Sequence, residues 1–180
     1  MHRDIAASPE YRRALQLYQQ GNLSEAFRAC SRLDQFAPGQ PVVLELLAVV
    51  ALGLGEVDQA CEKLQAQIRL QKRNAGAHSN LSMALYAAGR VPEALKQAQK
   101  AIKLEPGLAQ AHNNLGNAYK KLGDLNRAGI AYQRSLALGV NDPRVTMNLS
   151  ETFYQQGNLE KAEKLAEAVA AITGESKTQA

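Results

Sequence analysis

Cysteine is scarce: Cys30 and Cys61 are the two in 180 residues. That is too few for a disulfide framework, and neither stands in a CxxC or CxxH pair, so the usual zinc and dithiol signatures are missing. Both read as buried free thiols. No apolar run approaches the roughly 18 to 20 residues that span a bilayer, and the start, Met1-His2-Arg3-Asp4-Ile5, leads into no apolar h-region. These absences point to a soluble, cytoplasmic chain without membrane insertion. The formal net charge of +4 is spread without blocks of Lys or Arg, so the footprint of nucleic-acid binding is lacking and an acidic partner is merely permitted. Walker A, GxGxxG, HExxH and GxSxG sequences are all missing. Carboxylates such as Glu160 and Glu163 are scattered over polar helix faces, where general acid-base chemistry would need a converging pocket. The chain reads as no enzyme, with no cofactor and no metal.

What is present is a period. Glycine recurs at Gly21, Gly55, Gly89, Gly123 and Gly157, alanine at Ala26, Ala60, Ala94, Ala128 and Ala162, and an apolar residue between them at Leu23, Val57, Val91, Leu125 and Leu159, all on a 34-residue spacing. The windows are 7–40, 41–74, 75–108, 109–142 and 143–176, and the short ends 1–6 and 177–180 read as flexible termini. At 46% hydrophobic content a chain of this length can bury a sizeable core.

Each window predicts two helices. In 109–142, Leu115, Ala118, Tyr119 and Leu122 recur at helical steps up to Gly123, and Ala128, Ala131, Tyr132, Ser135, Leu136 and Leu138 mark the second helix. Glycine closes the first helix in the left-handed conformation, and Asn22, Asp124 and Asn158 stand where the next helix needs a cap, Asn22 with Glu25 as a capping-box variant. Pro92 falls in a first turn, while Pro38 and Pro106 stop second helices. Ala14, Ala48, Ser82, Gly116 and Ser150 form a small-residue column opposite the alanines, which lets paired helices approach closely.

The pattern Leu115-Gly116, Tyr119, Gly123-Asp124, Ala128, Tyr132 and Leu136, with Pro106 ending the preceding unit, resembles the tetratricopeptide repeat and extends over 7–176. The resemblance implies an all-α fold, a right-handed superhelical solenoid of antiparallel helix pairs forming one domain, that binds protein. Arg13 stands where Leu81, Leu115 and Leu149 occur later, which suits a first helix with no earlier neighbour, and Lys72 and Val140 replace the terminating proline. In such stacks the first helices line a concave groove. That face is apolar around Leu46, Val49 and Leu52, intermediate at Asn80 and Tyr86, and rich in amides and cations at Asn113, Asn114, Asn117, Lys120, Lys121, Arg144, Asn148 and Tyr154.

The groove therefore suits a peptide with a hydrophobic anchor and an acidic or C-terminal carboxylate end. Asn80, Asn114 and Asn148 form a ladder able to hold a peptide backbone, as the similar ladder in O-linked N-acetylglucosamine transferase implies; asparagine is also common in this column generally. Lys120, Lys121 and Arg144 offer charge-assisted bonds to a carboxylate, or are simply solvated helix-end charges. The carboxylate clamp of chaperone-binding members is matched only in part, since it wants a basic residue at Asn113. His78 and His112, 34 apart, are explained by register and take structural roles. Ala166, Val169 and Ile172 would face a following repeat, implying self-association into a homo-oligomer or a cut from a longer protein. The leading reading is an adaptor or scaffold; the alternative is the recruiting arm of a larger glycosyltransferase or sulfotransferase.

Overall fold

The computed structural model describes residues 5–139 and 142–173, with side chains through residue 171. The helices fall into two compact units, Met1–Arg90 and Val91–Ala180. The first contains a 3-10 turn, Ile5–Ala7, then α1 (Pro9–Gln19), α2 (Leu23–Phe36), α3 (Pro41–Gly53), α4 (Val57–Leu70) and α5 (Ala75–Ala87). The second contains α6 (Val91–Leu104), α7 (Ala109–Lys121), α8 (Leu125–Ala137), α9 (Pro143–Gln155) and α10 (Leu159–Thr173). Each of the five windows thus holds two helices. Within each unit, successive helices pack on one another, and first helices also meet, α1 with α3 and α7 with α9. No strand occurs among the described residues.

The glycine column has a local cause. Gly21, Gly55, Gly89, Gly123 and Gly157 all have φ between 74° and 82°. Around Gly21, the N–H of Asn22 donates to Leu17 O at 2.9 Å and that of Gly21 to Tyr18 O at 3.0 Å. This is the Schellman closure, which satisfies carbonyls at the helix end and needs a left-handed residue. The same long bond recurs from Glu56, Arg90, Asp124 and Asn158 to Ala51, Leu85, Tyr119 and Phe153.

Capping is less uniform than the column suggests. Asp124 Oδ1 accepts from Arg127 N at 3.0 Å, and Ser8 and Asn74 cap α1 and α5 through Tyr11 N and Ala77 N. Asn22, by contrast, makes no side-chain cap bond, so the expected capping box at Asn22 and Glu25 does not form; Asn158 manages a long 3.4 Å bond to Lys161 N.

The small columns are buried. Ala26, Ala60, Ala94 and Ala128 have no exposed surface, and neither do Ala14, Ala48 and Ser82. Ser150 Oγ donates to Ala162 O at 2.7 Å across α9 and α10. At Gly116 the approach is closest: a Cβ would stand 2.6 to 2.9 Å from three ring carbons of Tyr132. Tyr132 is fully buried, in a core cluster with Ala128, Val145 and Leu149.

Cys30 and Cys61 are buried free thiols, and burial pushes the Cys30 thiol up to about 11. His78 Nε2 lies 3.3 Å from Lys72 O and His112 Nε2 3.0 Å from Pro106 O. Each ring N–H thereby ties down the turn six residues before it, the structural use expected of both.

The α10 face differs from expectation. Val169 is buried at 6% exposure, so it does not present an uncovered apolar side chain, and the Ile172 side chain lies outside the described residues. Where Gly129 and Tyr132 of α8 receive α9, α10 carries exposed Glu163 and Ala166.

Candidate functional site

In the first unit one residue of the apolar patch expected to face a ligand belongs to the core. Leu46 is 5% exposed and joins Ala14, Cys30, Val43, Leu47 and Val50, against which Tyr11, Leu15, Tyr18 and Val42 pack. A buried Leu contributes about 2 kcal/mol to folding and offers little surface to a peptide. Leu46 is thus buried rather than presented; Val49, Leu52 and Asn80 are partly buried. Beside them Glu45 accepts from the buried Gln67 amide at 3.2 Å. Burial raises the Tyr11 phenol, with the charge of Glu45 adding to it.

The second unit assembles more of the expected residues. On α7 and α9, Asn148 Nδ2 donates to Asn117 Oδ1 at 3.3 Å, and the Tyr132 hydroxyl donates to the same oxygen at 2.7 Å. Lys120 Nζ donates to Glu151 Oε2 at 2.8 Å and reaches Asn148 Oδ1 at 3.4 Å. Gln155 donates to the other Glu151 oxygen at 3.1 Å. Asn114 is 6% exposed, so its amide lies mostly within the unit.

These bonds alter the charge chemistry expected of the face. Lys120, its side chain only 18% exposed, is already neutralised by Glu151. Arg144 is forked onto Asp142, Nε to Oδ1 at 3.0 Å and Nη2 to Oδ2 at 2.7 Å. Those hydrogen bonds hold the Asp142 carboxyl below its usual range. A ligand carboxylate would reach Lys120 or Arg144 only by displacing one of the chain's own, whereas Lys121 stands exposed. Two large apolar side chains flank the network on α9: Met147 is 58% exposed and Tyr154 66%.

The sequence places Glu151 on this face but does not point to Asp142, though Asp142-Pro143-Arg144 is a cap followed by a cation on the first turn, a signal for that pair. Among the described residues, no cluster of His, Cys, Asp and Glu could hold a metal ion, and no helix is long and apolar enough to cross a membrane.

Helix pairs closed by a left-handed glycine, locked by small-residue columns and repeated at 34 residues define a helical-repeat interaction fold. Family models agree: a TPR repeat matches 83–123, and tetratricopeptide repeats match 113–176 and 41–65. The chain belongs to the tetratricopeptide repeat family, and its fold is an all-α helical-repeat solenoid. Comparison with curated proteins finds no match.

Among solved structures, TTC0263, a thermophilic TPR protein of Thermus thermophilus, is 26% identical with a TM-score of 0.79, covering 90% of this chain and 89% of that one. The pilF protein of Pseudomonas aeruginosa is 23% identical, TM-score 0.79, over 90% of this chain and 74% of that one. MamA of Desulfovibrio magneticus is 16% identical, TM-score 0.77, over 94% and 96%. The last two likenesses show the fold alone. The repeats support a protein-interaction module.

Proposed function

We propose that the chain is a non-catalytic adaptor that holds an extended or helical segment of a partner protein against α7 and α9. The observation that carries this is the pairing of two exposed anchors, Met147 and Tyr154, with an ordered polar strip, Asn117, Asn148, Lys120 and Glu151, that offers both donors and acceptors. Exposed aromatic and Met side chains beside fixed polar groups are the composition of binding hot spots. The strip matches a peptide's amides, which need a donor and an acceptor together. Lys121 adds one exposed cation, so an acidic residue in the segment is favoured at that end.

Affinity capture from source-cell lysate, comparing wild type with Met147→Ala plus Tyr154→Ala and with Lys121→Glu, tests the reading. At least one partner should be lost by the double variant and weakened by the charge reversal, with helicity unchanged. Equal recovery of every partner by all three proteins sinks it.

A further inference from the structure

We propose that the edge of the first unit where α2 and α4 end docks on an anionic membrane surface. Phe36, the last residue of α2, is 80% exposed, and Leu70, the last of α4, is 57% exposed. The repeat places a large apolar residue here again at Leu104 and Leu138, but those two are partly buried in the second unit. Register therefore explains the residue type at Phe36 and Leu70 and leaves their exposure unexplained. The turns that follow them border each other, since Leu70 Cδ1 lies 3.8 Å from where a Cβ on Gly39 would stand.

The charge at this edge is one-sided. Where the turns after α2 and α6 carry Pro38-Gly39 and Pro106-Gly107, the turn after α4 carries Lys72-Arg73, and stopping a helix requires neither charge. Arg32, Arg69, Lys72 and Arg73 are all exposed, and no acidic residue lies between 69 and 74. The nearest acid in the adjoining stretch, Asp34, is held by Lys63 at 3.2 Å and by the Gly39 N–H. His78 steadies the turn through Lys72 O. Residues Arg69 to Asn74 line an open hollow of about 570 Å³, wide enough to admit a phosphate headgroup.

A lipid surface fits better than a peptide. The tips Phe36 and Leu70 and the exposed cations Arg69, Lys72 and Arg73 stand on adjoining turns at one edge with no acidic residue between 69 and 74, which complements a continuous anionic surface. Apolar tips below headgroup level with cations at it are the arrangement of interfacial anchors.

The test is co-sedimentation of the full chain with vesicles of phosphatidylcholine alone, or with about one-third phosphatidylglycerol. Binding is expected to the anionic vesicles only and should weaken with salt. Each cation removed should cost roughly fivefold, so Arg69→Gln with Lys72→Gln and Arg73→Gln should lower partitioning by roughly a hundredfold. Phe36→Ser with Leu70→Ser should also lower it, with the circular dichroism unchanged. Lys96→Gln with Lys100→Gln and Lys103→Gln removes the same charge from α6 and should leave partitioning nearly intact. Absence of binding to anionic vesicles, or equal losses from the two triple variants, overturns the proposal. So does binding of an acidic, leucine-containing peptide to this turn by a chain that ignores the vesicles.

Discussion

Gly116→Ala should destabilise the protein although it adds a better helix former. Alanine in a helix interior gains about 1 kcal/mol over glycine. Against that, the new methyl would sit 2.6, 2.7 and 2.9 Å from Tyr132 Cε1, Cδ1 and Cζ, inside the range real Cβ atoms avoid. Tyr132 is fully buried and its hydroxyl is fixed to Asn117 at 2.7 Å, so the ring cannot swing aside without losing that bond. Overpacking costs roughly 1 to 3 kcal/mol and the hydrogen bond about 1 kcal/mol, leaving a net loss of about 2 kcal/mol. In a chain of this size that is a fall in Tm of about 4 to 8 °C. Gly129→Ala is the matched control: it too is helical and buried, but its Cβ would meet only Thr152 and Leu149 at 3.9 and 4.0 Å. It should be stabilised by up to about 1 kcal/mol. Urea denaturation followed by far-ultraviolet circular dichroism reads both. The packing argument fails if Gly116→Ala is as stable as wild type, or if both variants shift in the same direction.

Three further outcomes follow from single contacts. Asp124→Ala should cost about 1 kcal/mol through loss of the cap on Arg127 N, whereas Asn22→Ala should cost much less, because Asn22 caps nothing with its side chain; thermal melts compare them. The Asp142 carboxyl is lowered by the Arg144 side-chain hydrogen bonds, so its stabilisation is present above the unfolded carboxylate pKa of about 4 and is lost as pH falls through the lower folded value. Wild type should therefore lose more stability than Asp142→Asn between about pH 5 and 2, and parallel acid titrations showing equal losses would refute this. Cys30, fully buried with its thiol raised to about 11, should react with a colorimetric disulfide reagent only after unfolding; rapid labelling of the native Cys61→Ser variant would contradict that burial.

The helices and their ends were legible because their causes are local. The Schellman closure at Gly21 involves Leu17, Tyr18 and Asn22, all within one turn, and the alanine columns repeat at a fixed distance along the chain. Capping was only half legible. Asn22 and Asp124 hold equivalent positions in the repeat, yet only Asp124 bonds the following turn, and residue type alone does not choose the rotamer. The candidate face on α7 and α9 was the least legible, since its side chains are shared between two first helices that no single window contains.

That sharing has its own register. Asn117 meets Asn148 and Lys120 meets Glu151, both contacts between residues 31 apart. The same step links Leu15 to Leu46, and Leu15 packs on the cluster that contains Leu46. On α7 and α9 this step sets which polar side chains pair. Leu46 has a leucine there and is buried, while Asn148 and Glu151 have Asn117 and Lys120 and are bonded. Met147 and Tyr154, at the flanks of these contacts on α9, remain exposed at 58% and 66%. The 34-residue column identifies which positions share this face, and between α7 and α9 the 31-residue contacts show which of them already spend their polar groups within the chain.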